Sequence, residues 1–437
     1  MDPRGTQTPE SGVPDDYEYI SPIGFSYYAN ATSLSPQFYQ TLLDRSWRRS
    51  GKLLYRPDQK RSCCPHYTIR LDSGRFKPAR DQRQTINRFN NHIIGESYAK
   101  EAARLYPRSR EQSRKRNNEF CLTERVHEAE YAQLRTPPDP AHSLEITLDE
   151  DKFTEEKYLV YANYQEVVHH EKPQDISRKS FKRFLCSSPL RRQLMEAPNG
   201  RKKKLGSYHQ CYRIDGKLVA VGVLDLLPDC VSSVYFFYHE SIHKYAPGKL
   251  GALHEIALAI EDGYRWWYPG FYIHSCPKMR YKLDYSPQEI LDPIALTWDP
   301  LDAEVRRLLD QKSFVSLSME RKSLRSVGEG AETTASEDEP SKEGSDVGSD
   351  DENGQSIFQL GLPGITPIST METVDLDHIP LILPKALYVE TSDLVAWDSQ
   401  TIHSWPGIKA SVAELVAALG SDLVNLICLD LLNHRDE

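Results

Sequence analysis

The spacing of apolar residues predicts two helices near the start of the chain. Ser35-Pro36 is a typical helix start, because serine can cap the first turn and proline fits the first helical position. The apolar residues from Tyr39 to Trp47 fall on one face, Arg48-Arg49 would occupy the last turn, and Gly51 can end the helix. A second apolar stripe predicts a helix from Asp81 to Gly95.

The middle of the chain changes to nearly continuous apolar runs, which are typical of central strands covered on both faces. The predicted elements are a helix capped by Ser177, strands over 208–214, 217–227 and 231–238, a helix over 250–264 and a strand over 270–275. Asp215-Gly216, between the first two strands, is a strong hairpin signal. A hairpin, a third strand, a helix and a returning strand together predict an α+β fold.

Later patterns divide the rest of the chain. Apolar runs over 379–383 and 386–389 and a helix over 412–419 predict a further structured segment, which either stands alone or completes the preceding domain. The predicted segments are a loose lead-in (1–22), a basic N-terminal domain (23–106), a linker or insertion (107–145), an α+β domain (146–320), an acidic disordered linker (321–356) and a C-terminal segment (357–437).

Charge is distributed unevenly along the chain, whose net charge is -9. Residues 329–352 contain ten acidic residues and one lysine, with too few apolar residues to form a core, so we expect a disordered linker there. Residues 45–125 contain 21 Lys and Arg against 8 Asp and Glu, interleaved with aromatic residues. This composition fits an RNA partner, whose phosphates and bases it could contact, and equally a solvated basic face around ordinary core aromatics.

The composition also indicates the class of protein. No run of about 18 apolar residues appears, and the chain start lacks an apolar signal core, so we expect neither a membrane span nor secretion. Eight cysteines in 437 residues fit a reducing compartment better than a disulfide framework. We therefore expect a soluble protein of the cytoplasm, with the nucleus as an additional location.

The adjacent pair Cys63-Cys64, followed by Pro65-His66, is the first chemical candidate. Two thiolates and an imidazole can bind zinc or an iron–sulfur cluster. Adjacent cysteines alone chelate poorly, however, and a complete site usually needs four ligands. Two small buried thiols are the alternative interpretation.

The second candidate is the end of the strand predicted over 270–275. His274 is followed by a cluster of three cations, Lys278, Arg280 and Lys282, which could receive a carboxylate or a phosphate. A solvated turn is the alternative. The third candidate is a pair of carboxylates: Asp225 lies inside an apolar strand, where a charge needs a partner or a task, and Glu255 lies on the following helix. A structural ion pair is the alternative for Asp225, and an exposed helix position the alternative for Glu255.

Four segments resemble the arginyl-tRNA–protein transferase family: SWRRSG (46–51), CCPHYTIRL (63–71), LVAVGVLDLLPDCVSSVYFFY (218–238) and GFYIHSCPKMRYK (270–282). The resemblance implies a GNAT-like (N-acetyltransferase-type) catalytic domain with a smaller basic N-terminal domain. It also implies arginyl-tRNA as co-substrate and transfer of arginine to proteins that begin with Asp, Glu or oxidised Cys, which marks them for degradation through the N-degron pathway. The implied partners are arginyl-tRNA and proteins with acidic N-termini, without DNA or a membrane.

The resemblance gives the candidate residues provisional roles. The candidates for catalysis are His274, Tyr281 and Asp225. The candidates for binding the acidic terminus or the arginyl group are Lys278, Arg280, Lys282, Glu255, Tyr235 and Tyr272. The candidates for holding tRNA phosphates are Arg48, Arg49, Arg61, Arg70, Arg83 and Arg88.

Two positions depart from the family pattern. Family members have a Cys-x-x-Cys pair before the region of Ser26, which would complete an iron–sulfur or zinc site with Cys63 and Cys64, but no cysteine precedes Cys63 here. Either the start of the chain is incomplete or the cluster is degenerate, so these two thiols are half a site. Gly251 stands where the family has a serine before the helix, and the missing serine would weaken a contact to the tRNA end.

Two other functional classes compete with the transferase. One is an RNA- or N-degron-binding protein that kept the fold and lost turnover. The other is an acetyl-coenzyme A acetyltransferase, which is disfavoured because the glycine-rich pyrophosphate turn is missing before the helix at Leu250.

Overall fold

The computed structural model describes residues 25–196, 200, 202–328, 355–383 and 387–431. The predicted lead-in over 1–22 and the acidic stretch over 329–352 lie outside these residues. Within the described ranges, the helices are all too short or too polar to cross a bilayer.

The first helix is shorter than the sequence predicts. The elements are β1 (Ser26–Asn30), α1 (Pro36–Leu43), β2 (Arg48–Ser50), β3 (Leu53–Pro57), β4 (Tyr67–Asp72), α2 (Arg80–Ile94) and α3 (Glu96–Leu105). Ser35 caps α1 as expected, since its hydroxyl accepts a hydrogen bond from the Phe38 amide at 3.1 Å. The helix ends at Leu43, however, and Ser46 has a φ of +64°, so the chain turns back and Arg48 begins a strand.

The segment over 107–145 contains helices, although its polar sequence predicted a linker or insertion. Its elements are α4 (Arg110–Asn118), α5 (Leu122–His127) and the start of β5 (Leu144–Glu150). Ser109 and Gln112 form a reciprocal capping box at the start of α4. Leu122 and Val126 on α5 are buried in the main core, which explains why this polar segment folds against the domain.

The elements of the central domain follow the predicted order. They are α6 (Glu155–Tyr164), α7 (Arg178–Leu185), β6 (Gln193–Glu196), β7 (Lys202–Ile214), β8 (Lys217–Leu226), β9 (Cys230–Tyr238), α8 (Pro247–Glu261), β10 (Trp266–Tyr268), β11 (Phe271–Tyr272), β12 (Gln288–Leu291), β13 (Trp298–Pro300), α9 (Ala303–Gln311) and α10 (Leu317–Gly328). Asp215 and Gly216 have φ angles of +52° and +78°, which is the backbone of a tight hairpin turn and confirms that prediction. The mixed α+β class is likewise confirmed.

One large sheet organises the molecule. Its strand order is β13-β12-β4-β10-β9-β8-β7-β5, with β11 added beside β4 and β6 beside β7. The pairing of β9 with β10 is parallel, whereas the neighbouring pairs are antiparallel. The sequence assigned β4 to the N-terminal domain, but this strand lies between β10 and β12 of the main sheet. The chain therefore passes directly from β3, in the smaller sheet with strand order β1-β3-β2, to β4 in the main sheet.

Close packing of α8 on β9 depends on a glycine. A Cβ atom placed on Gly251 would lie 2.3 Å from Cε2 of Phe236, well inside contact distance. The glycine that departs from the family pattern therefore makes room for this phenylalanine ring. At Gly248, in the first turn of the same helix, an added Cβ would meet nothing within 4 Å.

Gly251→Ser is expected to destabilise the protein by about 1–3 kcal/mol, because the ring of Phe236 or the helix must move to relieve the overlap. Urea unfolding measures the loss. Gly248→Ser is the matched control and should change the free energy of unfolding by less than about 0.5 kcal/mol. Equal effects at the two positions would contradict this account of the packing.

A histidine between two carboxylates joins α5 to α8. His127 contacts Glu130 through Nδ1 and Glu261, on α8, through Nε2 at 3.0 Å. The hydrogen bonds with Glu130 and Glu261 raise the pKa of His127 to about 10, although partial burial opposes the shift. The imidazolium is therefore the folded-state form at neutral pH.

The stability that His127 contributes should be lost in alkaline solution. Its folded-state pKa lies above the unfolded value of about 6.5, so its contribution is full below pH ~6.5 and declines as the pH rises through about 10. We expect the free energy of unfolding to fall more between pH 7 and pH 10 in the wild type than in His127→Gln. Parallel curves for the two proteins would argue against the imidazolium bridge.

The C-terminal segment forms its own sheet. Its elements are α11 (Ile357–Leu360), α12 (Ile368–Met371), β14 (Pro380–Leu383), β15 (Leu387–Glu390), α13 (Ile408–Leu419) and β16 (Leu429–Asp430), with strand order β15-β14-β16. The carbonyl end of α13 docks on the N-terminal region. Trp47 Nε1 and Arg56 Nη1 donate to the Ala418 carbonyl at 3.0 and 2.5 Å, and Arg45 Nη1 donates to that of Leu419 at 2.7 Å.

Candidate active site

A cavity opens where the main sheet separates between β9 and β11. The parallel pairing of β9 with β10 ends at Ser232 and Tyr268. Gly270, with a φ of +81°, then redirects the chain so that Phe271 and Tyr272 pair with β4 alone. The gap that results is a cavity of about 130 Å³, which we call the β9–β11 cavity. Its lining residues are Tyr39, Arg48, Arg49, Ser50, Tyr55, His66, Phe184, Ser232, Ser233, Val234, Gly270, Phe271, Ile273, Met279 and Lys282.

Arg48 supplies a buried cation to the wall of this cavity. The residue is 6% exposed, and its Nη1 donates to the Trp47 carbonyl at 2.9 Å. Its Nε and Nη2 are buried and have no hydrogen-bond partner in the described structure. The guanidinium lies over the rings of Phe271 and Tyr268, with 5.0 and 5.7 Å from Cζ to the ring centroids. Two unsatisfied buried donors are costly, so this guanidinium is suited to receive an anion.

Lys282 and His66 add to the polarity of the cavity. Lys282 is buried, and its ammonium donates to the Phe271 carbonyl at 2.6 Å. Burial lowers the pKa of His66 to about 4, and the charge of Lys282 lowers it further. The imidazole is therefore neutral at pH 7. The lining of the cavity thus combines three cations, of which Arg49 is paired with Asp225, with a neutral imidazole and aromatic walls.

Arg49 and Asp225 pair with each other inside the protein. Arg49 Nη2 and Nε donate to the two oxygens of Asp225 at 2.6 and 2.8 Å, and Ser207 donates to the same carboxylate. Burial opposes the charged form of Arg49, but the carboxylate outweighs it and the pKa of Arg49 is raised. Asp225 is 0% exposed. The structure thus corrects two expectations: Arg49 does not face solvent to hold tRNA, and Asp225 is committed to an ion pair.

Glu255 is also buried, which corrects the alternative of an exposed helix position. It lies on α8 beneath the sheet, where Trp267 Nε1 donates to Oε2 at 2.8 Å and Ser233 Oγ donates to Oε1 at 3.3 Å. Burial raises its pKa to about 7, against the two hydrogen bonds. Glu255 does not line the cavity itself, so the structure does not bring it to a position where it could contact an arginyl group.

His274 and its neighbours lie beside the cavity, outside its lining. The strand predicted over 270–275 ends at Tyr272, so His274 lies in the turn that follows. There it bonds to the Tyr272 hydroxyl at 2.6 Å and to Asp310 at 2.8 Å. The exposed candidates of the next segment are Lys278, Arg280 and Tyr281. Only Lys282 of the three predicted cations reaches the cavity.

The two other predicted aromatic contacts are core residues. Tyr272 is 0% exposed and packs beside β4 and α9. Tyr235 lies in the core formed by α6, α7 and β9, where its hydroxyl donates to Gln165 at 3.0 Å. Both residues stabilise the strands that border the cavity, and neither lines it.

The six arginines predicted to hold tRNA differ in their exposure to solvent. Arg83 and Arg88 are exposed on α2, and Arg61 is half-buried with its guanidinium over the Phe25 ring. Arg70 is held between Trp266 and Trp298 and donates to Glu289 at 2.7 Å. Arg48 and Arg49, described above, are buried. Within this set, the solvent-facing cations on α2 are therefore the best placed for phosphates.

The adjacent cysteines do not form a metal site with other described residues. Their sulfurs are 3.6 Å apart, and the hydrogen bond with Cys64 raises the pKa of the Cys63 thiol, which opposes the thiolate form that a metal requires. In the described ranges, no third His, Cys, Asp or Glu lies close enough to complete a set. The residues that the structure describes therefore do not fit an iron–sulfur cluster or zinc.

A second, larger cavity of about 440 Å³ lies between α1 and the C-terminal segment. Two of its charged residues, Arg45 and Asp422, pair with each other at 2.7 Å, and Arg56 is committed to carbonyl oxygens. It contains none of the residues that the sequence singled out. The β9–β11 cavity is the better candidate because Arg48 in its lining has two unsatisfied donors.

Sequence reasoning missed several residues of the cavity. Ser232 and Ser233 interrupt an apolar strand, and this signal was available but unused. His66 was considered only as a metal ligand. Tyr55 and Phe271 gave no signal, because aromatic residues in strands usually belong to a core.

Comparison with known proteins shows which protein family the chain is similar to. Two family models match the chain: "Arginine-tRNA-protein transferase, N terminus" over residues 17–84 and "Arginine-tRNA-protein transferase, C terminus" over residues 156–292. Both contain residues that line the β9–β11 cavity.

Curated relatives agree with the family match. The chain is 44% identical over 184 residues to Arginyl-tRNA–protein transferase 1 of Arabidopsis thaliana, which covers 40% of this chain and 28% of the relative. It is 32% identical over 278 residues to Arginyl-tRNA–protein transferase 1 of Saccharomyces cerevisiae, covering 60% and 50%. It is 34% identical over 140 residues to an Aspartate/glutamate leucyltransferase of Stutzerimonas stutzeri, covering 32% and 53%. The matches thus span about a quarter to a half of these relatives' lengths.

Proposed function

Because the chain belongs to the arginyl-tRNA–protein transferase family, we propose that it transfers arginine from arginyl-tRNA to the α-amino group of proteins that begin with Asp, Glu or oxidised Cys. Arginyl-tRNA is the co-substrate, and the modified protein is marked for degradation through the N-degron pathway. The reaction takes place in the cytoplasm, with the nucleus as an additional location.

The chemistry requires positioning more than covalent catalysis. The acceptor's ammonium group first loses a proton, and the free amine then attacks the carbonyl carbon of the arginyl ester. A C–N bond forms, the C–O bond to the terminal ribose breaks, and the ribose oxygen leaves as a hydroxyl with a proton from the attacking nitrogen. The ester is already activated, so holding the amine against it accounts for much of the rate.

The unsatisfied guanidinium of Arg48 is the observation that supports this function best. An acceptor's side-chain carboxylate in the β9–β11 cavity would satisfy Nε and Nη2 of Arg48, which are otherwise buried without partners. Lys282 adds a second positive charge. A neutral side chain would leave these donors unpaired, which gives the site a physical reason to select acidic termini.

A relative's name points to the same acceptor class. The relative from Stutzerimonas stutzeri is named an Aspartate/glutamate leucyltransferase. Its name thus gives leucine instead of arginine as the transferred amino acid, but it also includes the two acidic residues. This supports an acceptor site that is separate from the site of the transferred amino acid.

The arrangement of strands supports a GNAT-like catalytic domain. The antiparallel run β7-β8-β9 is followed by α8, and the chain returns as β10, parallel to β9, before the two strands separate. In this proposal the gap between separating parallel strands holds the reacting groups. The tRNA lies over the exposed cations of α2, which include Arg83 and Arg88.

An arginine-transfer assay tests the proposal. Labelled arginyl-tRNA is incubated with the protein and with peptides beginning with Asp, Glu, Asn or Gln. We expect transfer to the acidic peptides and at least tenfold less to their neutral isosteres. Binding of the Asp peptide without any transfer would support the alternative function, a binding protein that has lost turnover. Equal transfer to the Asp and Asn peptides would contradict an acceptor site that selects acidic residues.

A further inference from the structure

Glu255 is connected to the β9–β11 cavity through one side chain. Ser233 lines the cavity and donates its hydroxyl hydrogen to Glu255 Oε1 at 3.3 Å. On the other side of the carboxylate, Trp267 Nε1 donates to Oε2 at 2.8 Å. A buried carboxylate is thus one hydrogen bond away from a cavity that it does not line.

A β-bulge aims Ser233 at this position. In the pairing of β8 with β9, Val223 lies opposite Tyr235 and Leu224 lies opposite Ser233, so Val234 is an extra residue without a partner in the register. Bulges change the direction of neighbouring side chains and are frequent beside active sites. Here the bulge lies at the cavity wall, where Ser233 and Val234 are both exposed to the open space.

The groups that face Glu255 are almost all neutral. Tyr212 on β7 and Tyr285 after the turn have pKa values raised by burial, with Glu255 itself contributing. Gly222 on β8 would place a Cβ atom 3.6 Å from Oε1. His254, next to it on α8, is kept neutral because burial lowers its pKa to about 3. Burial and the two hydrogen bonds from Ser233 and Trp267 account for the shift of the Glu255 pKa.

We propose that Ser233 and Glu255 form a relay that removes the proton from the acceptor's α-ammonium group, an inference that rests on the proposed function. The Ser233 hydroxyl takes a proton from the ammonium as it passes its own proton to Glu255 Oε1. The products of this step are a neutral amine and a neutral carboxylic acid, so charge and protons balance. Glu255 acts through Ser233 and does not touch the substrate.

The carboxylate is suited to this task at neutral pH. Its pKa of about 7 lies close to that of an α-amino group, about 7.7–8.0, so the proton can move in either direction with little cost. An ordinary exposed carboxylate, with a pKa near 4.3, would be a much weaker acceptor for this proton. After transfer of arginine, Ser233 returns the proton to solvent through the cavity.

The test is the pH dependence of single-turnover arginine transfer to a saturating Asp peptide. We expect Ser233→Ala and Glu255→Gln to slow transfer by about 10²- to 10⁴-fold at pH 6.5, and the deficit to shrink above pH ~8, where solvent deprotonates the amine. Trp267→Phe keeps the relay but removes a hydrogen bond that lowers the Glu255 pKa, so its acidic limb should move to higher pH with transfer retained.

The variants separate a relay from a structural role. Loss of packing would lower the rate equally at every pH, whereas loss of the relay depends on pH. If Glu255→Gln fails to fold, Ser233→Ala still severs the relay at a half-buried position. If the wild type transfers arginine and the pH profile of Ser233→Ala has the same shape as that of the wild type, the relay is overturned and the proposed function stands. Absence of transfer by the wild type overturns both.

Discussion

Arg48→Met is expected to lower kcat/KM for an Asp-terminal acceptor by about two orders of magnitude while leaving the protein at least as stable as the wild type. The loss reflects a buried cation removed from the substrate carboxylate. The variant should keep its stability because, in the protein without substrate, Nε and Nη2 of Arg48 are buried without partners. A methionine can fill the same space beside Phe271 without that cost.

Lys52→Met is the control for Arg48→Met. Lys52 is an exposed cation in the turn of the same hairpin, between β2 and β3, and it does not line the β9–β11 cavity. Its removal should leave kcat/KM within about threefold of the wild type. If the two variants lose activity equally, the effect comes from the general positive charge of the region and the cavity assignment fails.

Breaking the buried ion pair is expected to have the largest effect on stability. Either Arg49→Met or Asp225→Val alone should destabilise the protein by about 3–5 kcal/mol, because each leaves one charge buried without its partner. Urea unfolding measures this loss. Any loss of transfer in Asp225→Val should follow the fraction of folded protein, since Asp225 binds Arg49 in this account.

The double variant Arg49→Met/Asp225→Val is the matched control. It removes both charges, so most of the stability lost in the single variants should return. Additive losses in the double variant would show that the residues stabilise the fold through separate contacts. A loss below about 1 kcal/mol in the single variants would contradict a buried pair.

Local patterns predicted those elements that depend on nearby residues. The helix α2 and the Asp215-Gly216 turn were predicted correctly, because an apolar stripe and turn residues act within a few positions. The first helix was predicted too long. Trp47 continues the apolar spacing, but it is buried because its indole contacts Ala418, 371 positions away, and no local pattern contains that contact.

The same limit applies to the candidate site. Asp225 was correctly singled out as a charge that needed a partner, but that partner is Arg49, which lies in another sheet. The cavity exists because Gly270 lets the chain leave β9 and follow β4. That exchange of neighbours depends on non-local pairing, which single-sequence periodicity does not record.

A crystal structure of the protein with an Asp-terminal peptide tests the acceptor assignment most directly. We expect the aspartate carboxylate to lie in the β9–β11 cavity, within about 3 Å of Nε or Nη2 of Arg48, with the peptide's amino group near Ser233. A carboxylate bound instead at the exposed cations Lys278 and Arg280, with the β9–β11 cavity empty, would contradict the assignment.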